Sequence, residues 1–397
     1  MSKLPKGWSL VELSNICSIN MGQSPKSESY NENNIGLPLI QGNADIKNRK
    51  TFPRTYTSEV TKECEIGDII MTVRAPVGAI AKSYHNACIG RGVCSITPKE
   101  NNDFLYHFLV GYEDKWDKLS QGSTFTAVNG NDIKKIKLPL PPLEEQKKIA
   151  DILNTVDKKI AFVEENINAT EELKKGLMQK LLTEGIGHTE FKDSELGRIP
   201  ESWGIKSIED IAEVKGGKRL PKGSSLSEEK TPYPYIRVTN MFMGGVDLSE
   251  IQYVPEDIQP QIKNYTISKN DLFISVAGTL GIVGEVPKEL DNANLTENAD
   301  KLTNIKINKK YLLYILMSNL IQNEISKQTT SNAQPKLALT RIKTFRIPIA
   351  PLEEQKQIAE ILSTVDNKLE NLKEKKLFFQ ELKKGLMQKL LTGEVRV

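Results

Sequence analysis

Glu172–Thr183 reads ELKKGLMQKLLT, and the same twelve letters return at Glu381–Thr392. A second motif, PLEEQK, occurs at Pro142–Lys147 and again at Pro351–Lys356, so both matches have the same offset of 209 residues. Shared helix propensity does not produce twelve identical residues in a row, so the chain is a tandem duplication. The repeat therefore predicts a molecule that does one thing twice, on a target with two halves.

The duplication extends, more faintly, into the segments that precede these motifs. Trp8 aligns with Trp203 and Gly22 with Gly217. The offset grows from 195 residues at the tryptophans to 209 at the tails, so the second segment has gained residues through scattered insertions. Divergent segments between constant tails are typical of a variable module on a fixed frame.

Length and composition predict a protein of two or three domains without a membrane segment. The chain has 397 residues with a net charge of +3, and no stretch approaches the 18 apolar residues of a membrane span. The start, MSKLPKGW, lacks an apolar signal core, so we expect a cytoplasmic protein. All four cysteines (Cys17, Cys64, Cys88 and Cys94) lie in the first third, which favours reduced thiols.

The two globular segments mix short β-type runs with helical ones. Ile69–Val73, Ile236–Val238 and Leu272–Val276 are predicted strands, and Phe104–Val110 and Tyr311–Leu320 are predicted helices. The fold class is therefore α+β. We expect a globular domain at 1–140, a helix at 141–185, a linker and second globular domain at 186–349, and a second helix at 350–397.

The tails carry apolar heptads that predict a coiled coil over five heptads. The predicted seam positions are Ile149, Leu153, Val156, Ile160, Val163, Ile167, Thr170, Lys174, Leu177 and Leu181 in the first tail and Ile358, Leu362, Val365, Leu369, Leu372, Lys376, Phe379, Lys383, Leu386 and Leu390 in the second. The short linker Glu184–Ile199 suffices only if the helices pair antiparallel, since parallel pairing would stretch it along the whole coil. We expect the two globular domains at opposite ends, related by a pseudo-twofold axis.

The chain resembles the specificity subunit of type I restriction–modification enzymes over essentially its whole length. The resemblance rests on the openings Leu4–Trp8 and Ile199–Trp203, the linker Phe191–Trp203, and the duplicated PLxEQ and LKKGLMQKLL motifs. It implies two target-recognition domains that each read half of a bipartite, asymmetric site in double-stranded DNA. It also implies a spacer of two antiparallel helices, two methyltransferase subunits docked on it, restriction/translocase subunits that join afterwards, no cofactor and no catalysis by the chain itself.

Candidate DNA contacts are polar residues at predicted strand ends and loops, because base edges are read by Arg, Lys, Asn, Gln, Ser and Thr. In the first domain they are Gln41, Asn43, Arg74, Arg91, Gln121, Ser123 and Thr124. In the second domain the matching places hold Arg237, Asn240, Lys327, Gln328, Thr330, Asn332 and Gln334. A Gly-rich basic loop with Lys215, Lys218, Arg219 and Lys222 is suited to phosphate.

Two other classes of function stay open at this level: a stand-alone DNA-modifying enzyme and a coiled-coil scaffold. Asp210, Glu213 and Lys215 faintly resemble a nuclease D…ExK cluster, but the first repeat has no equivalent. His85 with the nearby cysteines matches no common zinc spacing, so we expect no metal. There is no nucleotide-binding glycine loop or adenine-methyltransferase motif either, which favours a binding module.

Gly176 and Gly385 lie inside the repeated tail motif, where glycine costs about 1 kcal/mol relative to alanine in a helix. Close approach by a partner and a local break in the helix both explain a glycine there.

Overall fold

The computed structural model describes residues 4–120, 127–327 and 336–397. It divides into two compact units, Met1–Asn166 with Leu372–Val397 and Ile167–Asn371. Each unit combines one globular segment with parts of both tails. The functional boundaries predicted above stay predictions.

The first globular segment contains thirteen described strands and three short or medium helices. The strands are β1 (Ser9–Glu12), β2 (Cys17–Met21), β3 (Tyr30–Asn31), β4 (Leu37–Ile40), β5 (Ile46–Lys47), β6 (Lys50–Thr51), β7 (Thr55–Thr57), β8 (Glu63–Cys64), β9 (Ile69–Thr72), β10 (Ile80–Lys82), β11 (Ala87–Ile89), β12 (Val93–Pro98) and β13 (Lys137–Leu140). The helices are α1 (Leu13–Ile16), α2 (Asn102–Ser120) and α3 (Gly130–Lys134), followed by the long α4 (Leu143–Thr183).

The apolar strand β9 lies inside one of two sheets, and both of its faces are covered. A six-stranded sheet has the order β2-β12-β9-β10-β6-β5, and a five-stranded sheet has the order β3-β7-β4-β11-β8. Side chains alternate along a strand, so Ile69 and Met71 join the core beneath α2, whereas Ile70 joins Ile40 and Ile89 on the other face. Because both faces of β9 are covered, its sequence is a continuous apolar run.

The second globular segment is built in the same way. Its strands are β14 (Phe191–Ser194), β15 (Gly197–Pro200), β16 (Gly204–Ser207), β17 (Glu213–Gly216), β18 (Pro234–Ile236), β19 (Met241–Phe242), β20 (Gly245–Val246), β21 (Gln252–Tyr253), β22 (Thr266–Ile267), β23 (Leu272–Ser275), β24 (Val283–Glu285), β25 (Ala293–Leu295), β26 (Ala299–Thr303) and β27 (Arg346–Ile349). Its helices are α5 (Ile208–Ile211), α6 (Gln259–Ile262), α7 (Lys309–Met317), α8 (Asn319–Lys327) and α9 (Leu339–Lys343), and the long α10 (Leu352–Leu390) follows.

The sheet topology repeats between the units. The order β17-β26-β23-β24 matches β2-β12-β9-β10 in the first unit. Strands β18 and β25 pair parallel, as β4 and β11 do, and each of these pairs has an antiparallel neighbour, β22 or β8. The internal repeat and the α+β class predicted from the sequence are therefore confirmed.

Within the first unit, the start of α4 and the end of α10 pair antiparallel. Lys383 Nζ lies 2.6 Å from Asp157 Oδ1, and Lys376 Nζ lies 3.0 Å from Glu164 Oε1. The residue numbers rise along α4 while they fall along α10. Both lysines occupy predicted seam positions, so these ion pairs satisfy the charges that interrupt the apolar seam and favour one register.

The second unit contains the end of α4 and the start of α10, again paired through a seam lysine. Lys174 Nζ lies 2.6 Å from Asp366 Oδ1, and the Tyr314 hydroxyl donates to Asp366 Oδ2 at 2.8 Å. Every predicted seam position of both tails is buried or half-buried. The predicted antiparallel helices are therefore confirmed within each unit.

The duplicated motifs contact each other in the same way in both units. The Trp8 indole donates to Glu145 Oε2 at 3.0 Å, and the Trp203 indole donates to Glu354 Oε2 at 2.9 Å. Both glutamates are the second glutamate of a PLEEQK motif, in the first turn of a long helix. This bond ties the opening of each globular segment to the start of the helix that leaves it.

The segment after each repeated tail motif completes this contact in the other repeat's unit. In the first unit the Arg396 guanidinium donates to both carboxylate oxygens of Glu145, at 3.0 and 2.7 Å, and lowers the pKa of that carboxyl. In the second unit Glu354 Oε1 accepts from the Ile186 N–H at 2.9 Å and lies 2.8 Å from His188 Nε2. Each globular segment is therefore completed by a tail from the other repeat.

Gly176 and Gly385 lie within uninterrupted helices, α4 and α10. The alternative of a local helix break is therefore wrong. A Cβ built at either glycine meets nothing within 4 Å, so packing within a unit does not require glycine there.

A buried histidine generates a prediction about acid stability. His107 is fully buried on α2, and its Nε2 atom lies 2.9 Å from Asn154 Oδ1. Its Nδ1 atom has no hydrogen-bond partner among the described residues and lies 3.9 Å from Asp157 Oδ2. Burial lowers the pKa of His107 from 6.5 to about 4, and Lys383 acts in the same direction.

Because the folded pKa lies below the ordinary value, this group's contribution is fully present above pH 6.5 and is lost as the pH falls toward 4. Between pH 7 and pH 5 we expect the neutral His107 to account for a loss of about 2 kcal/mol in unfolding free energy. His107→Gln takes up no proton and should lose correspondingly less. Denaturant unfolding at both pH values checks this, and equal losses in the two proteins would contradict it.

Candidate nucleic-acid interface

Three predicted DNA-binding residues of the first unit follow adjacent strand ends. The Gly90 N–H donates to the Ile40 carbonyl at 2.8 Å, and the Val73 N–H donates to the Gly92 carbonyl at 2.9 Å. The turn that carries Arg91 is thereby bonded to the ends of β4 and β9, after which Gln41 and Arg74 follow. The fold brings these three candidates to one edge of the unit.

Arg74 and Arg91 are exposed, and neither guanidinium has a hydrogen-bond or ion-pair partner among the described residues. Asn43 is exposed in a short 3-10 turn, while Gln41 is half-buried. A Cβ at Gly92 would lie 2.1 Å from the Gln41 carbonyl oxygen, so only glycine permits this approach of the two loops. Free cations and amides on a fixed edge suit both base edges and phosphates.

In the second unit the basic loop after β17 borders a cleft of about 680 Å³. Its lining includes the cationic residues Lys218, Arg219 and Lys336 and the carboxylates Asp300 and Glu297. The Arg219 Nε lies 3.2 Å from Glu297 Oε1, although its side chain remains largely exposed. The basic loop that the sequence singled out therefore lines this cleft.

The other basic-loop candidates differ in how far they are engaged. Lys215 pairs with Glu213 at 2.6 Å on the exposed face of β17. Lys222 is exposed and has no ion-pair partner among the described residues. Lys327 lies at the end of α8, where it pairs with Glu324 at 2.6 Å. Seven further candidates lie outside the described residues: Gln121, Ser123, Thr124, Gln328, Thr330, Asn332 and Gln334.

Asn240 requires a correction to the predicted correspondence between the repeats. Its Oδ1 atom accepts from the Arg237 N–H at 3.1 Å, as Asp45 Oδ2 accepts from the Gln41 N–H at 2.8 Å. Asn240 therefore matches buried Asp45 and not exposed Asn43, whereas Arg237 does match Gln41. Asn240 is only 3% exposed and also donates to the Glu250 carbonyl, so its amide holds the turn.

Further equivalent bonds match the candidate reading edge of the first unit, which carries Gln41, Arg74 and Arg91, to its counterpart in the second unit. The Val276 N–H donates to the Asn298 carbonyl at 2.7 Å, and the Thr296 N–H donates to the Ile236 carbonyl at 3.1 Å. Arg74 forms an isolated β-bridge with Ala127, and Ala277 forms one with Lys336. Glu297 thus occupies the place of Arg91, and Ala277 that of Arg74.

The residues of the nuclease-like pattern have structural roles. Asp210 accepts from the Ser207 N–H and hydroxyl at 2.8 and 2.6 Å in the capping box of α5. Glu213 pairs with Lys215 on an exposed strand face.

Metal and membrane sites were also sought. In the described part of the chain no three His, Cys, Asp or Glu side chains cluster closely enough to hold a metal ion. Cys94 is fully buried, and burial raises the pKa of its thiol to about 12. Among the described helices, none combines the length and apolarity needed to cross a membrane.

Comparison with known proteins adds the family. The family model described as type I restriction modification DNA specificity domain matches residues 5–172 and 200–377, one match for each repeat. The type I restriction enzyme MjaVIII specificity subunit of Methanocaldococcus jannaschii is 31% identical over 74% of this chain and 70% of its own length. The EcoKI specificity subunit of Escherichia coli K12 is 24% identical over 90% of this chain and 81% of its own length.

Solved structures share the fold along the whole chain. The S subunit of a type I restriction–modification system from M. genitalium covers 98% of both chains with a TM-score of 0.61 and 18% identity. A chain from a study of complex assembly and conformational transition of the type I R-M system covers 100% of both chains with a TM-score of 0.62 and 19% identity.

The two kinds of basic residue at the candidate interface should respond differently to substitution. Lys222→Ala removes an exposed charge suited to phosphate, so we expect weaker binding to all duplexes alike and a salt slope reduced by about 1. Arg91→Ala removes a group at the reading edge and should cost about 1–3 kcal/mol on the preferred sequence only. Titration of both variants, each assembled with its partner subunits, on cognate and scrambled duplexes checks this. Identical losses on the two duplexes for Arg91→Ala would contradict a base contact.

Proposed function

The chain belongs to the type I restriction–modification DNA specificity family, and from this premise we propose that it selects a bipartite DNA target, one half-site with each globular segment. The two family matches, one in each repeat, support two readers. One observation supports the proposal above all. The edge with Gln41, Arg74 and Arg91 in the first unit and the edge with Arg237, Ala277 and Glu297 in the second share backbone hydrogen bonds, but their side chains differ in charge.

The contrast between equivalent positions is strong enough to predict unlike half-sites. Arg91 in the first unit corresponds to Glu297 in the second, and Gln41 corresponds to Arg237. Arginine donates to guanine acceptors, glutamate accepts from cytosine, and glutamine pairs with adenine. Two edges that differ in donors and acceptors favour different bases, so the proposed target is asymmetric.

We infer that the chemistry resides in partner subunits and that the chain binds without catalysing. The acidic residues of the nuclease-like pattern are engaged in a helix cap and an exposed ion pair. The relatives are specificity subunits of restriction enzymes by name. The proposed partners are double-stranded DNA, methyltransferase subunits and restriction subunits, and the proposed site of action is the cytoplasm.

The repeated tail motif supports docking of two like subunits. Each unit carries one copy, with an exposed leucine, Leu173 or Leu382, close to an open glycine, Gly176 or Gly385. A solvent-facing glycine destabilises a helix, and no neighbour within a unit requires it. A partner backbone that packs against the glycine is the remaining physical reason, and identical patches fit two copies of the same methyltransferase.

The proposed function is tested by comparing the isolated chain with the assembled complex. We expect no cleavage and no methyl transfer when the pure chain is incubated with DNA, Mg²⁺ and S-adenosylmethionine. With the methyltransferase partner added, we expect adenine methylation at one two-part sequence. Activity of the isolated chain would favour a stand-alone enzyme, and sequence-indifferent DNA binding by the complex would favour a scaffold.

The docking patch predicts opposite effects on stability and assembly. Gly176→Ala combined with Gly385→Ala should raise the free energy of unfolding by about 0.5–1 kcal/mol per site, because alanine is the better helix former. The added methyl groups should weaken binding of the methyltransferase by tenfold or more if its backbone contacts these glycines. Thermal unfolding and titration of the partner measure the two effects.

Gly204→Ala is a matched control, since Gly204 is an exposed glycine with equally open surroundings outside the tails. Unchanged partner affinity in the double tail variant would contradict the docking role of the glycines.

The helices are also proposed to set the spacing between the half-sites. Deleting residues 165–171 together with 369–375 removes one heptad from each helix, between the ion pairs Glu164–Lys376 and Lys174–Asp366 and outside the repeated tail motifs. One heptad at 1.5 Å per residue is about 10 Å, so we expect the preferred spacer to shorten by about three base pairs. Selection from a library of varied spacers measures this, and altered half-sites with an unchanged spacer would contradict it.

A further inference from the structure

The floor of the second unit's cleft is a buried carboxylate. Asp300 lies on β26, the strand between β17 and β23, opposite Gly216 on one side and Ile274 on the other. It is only 5% exposed, yet it lines the cleft. A charged side chain at the centre of a sheet needs a bonding partner to offset the loss of its hydration.

No such partner is present among the described residues. The Asp300 Oδ2 atom is buried without a hydrogen bond there. Burial raises the pKa of Asp300 to about 6, and nearby Lys336 acts against that shift. A Cβ at Gly216 would lie 3.4 Å from Asp300 Oδ1, so the absence of a side chain there keeps the carboxylate open to the cleft.

In the first unit the equivalent positions are occupied by apolar residues. Cys94 pairs with Met21 in the register in which Asp300 pairs with Gly216. Cys94 is fully buried, and Met21 packs against the first unit's core. Folding of the sheet therefore does not require an aspartate or an open cleft at this position. We look for the reason in what the cleft binds.

The rim of the cleft indicates what enters it. Lys218, Arg219 and Lys336 line the cleft and are more exposed than Asp300, while the second carboxylate of the lining, Glu297, is paired with Arg219. Three cations around one unpaired carboxylate disfavour a metal ion. A ligand that brings a hydrogen-bond donor to the floor and anionic groups to the rim satisfies both, as a nucleotide of a DNA strand does.

The donor chemistry distinguishes between the bases. Cytosine presents an amino donor in the major groove, and the known partner of a carboxylate there is this N4 group. Adenine places an N7 acceptor beside its amino group, which a carboxylate cannot satisfy, whereas an Asn amide pairs with both. Guanine and thymine offer acceptors at this edge and would leave the carboxylate unpaired.

We propose that Asp300 is a specificity-determining residue that accepts a hydrogen bond from a cytosine amino group in the half-site read by the second unit. Lys218 and Lys336 contact the flanking phosphates. This assignment rests on the proposed function, which it deepens by one base.

The test is selection of half-sites from a randomised duplex library by the chain assembled with its methyltransferase partner. The wild-type complex should prefer cytosine at one position of one half-site by about tenfold or more. Asp300→Asn should move that preference to adenine, because the amide pairs with N6 and N7. Asp300→Cys introduces the first unit's residue, so it should abolish the preference and raise the unfolding temperature. All other positions should be unchanged.

Lys336→Ala is the matched control at the rim, expected to weaken binding to all sequences alike without changing any base preference. If Asp300→Asn and Asp300→Cys both keep the wild-type preferences at every position, the assignment of Asp300 is wrong. The proposed function still stands in that case if the wild-type complex reads two half-sites. If the wild-type complex shows no sequence preference, both fail. If the asparagine variant does not fold, the base preference of Asp300→Cys alone decides between these outcomes.

Discussion

The structure depends on the antiparallel pairing of two long helices that belong to different repeats. The apolar seam supplies the burial, and the seam lysines each meet an acid on the facing helix, as Lys383 does with Asp157. Because the pairing is antiparallel, the end of each tail reaches the start of the other. Arg396 then bonds Glu145, which also holds Trp8, so the first globular segment is completed by the last residues of the chain. Neither repeat is therefore self-contained.

Between these ends the two globular segments share the same backbone arrangement but differ in the side chains that it carries. Gly22 and Gly217 show what must stay, since a Cβ at either would lie about 2 Å from a carbonyl oxygen of the neighbouring turn. Arg91 and Glu297 show what is free to change, because they lie on equivalent turns and neither belongs to the hydrophobic core. Side chains on these turns can therefore diverge without cost to folding, and the buried position held by Cys94 in the first unit and by Asp300 in the second diverges as well.

Much of the fold could be predicted from the sequence because its strongest signals are local or repeated. Heptads, the two PLEEQK helix starts and the buried run at β9 determine their elements through nearest neighbours and periodicity. The reading edge was predictable only in outline. Arg74 and Gln41 follow apolar strands, so the sequence could place them at strand ends, but the match of Asn240 to Asp45 depends on a side-chain hydrogen bond within each turn that the sequence does not show. Asp300 was missed because its burial arises from strand pairing, although a charged residue aligned with Cys94 was a usable signal.

The central claim is that two unlike readers are held on one frame, each responsible for half of the target. The most direct measurement exchanges residues 200–340 for the corresponding segment of another family member. The methylated adenines are then sequenced in a host that carries the chimera and its methyltransferase partner. We expect one half-site to change while the other half-site and the spacer stay the same. A change in both half-sites, or in neither, would contradict it.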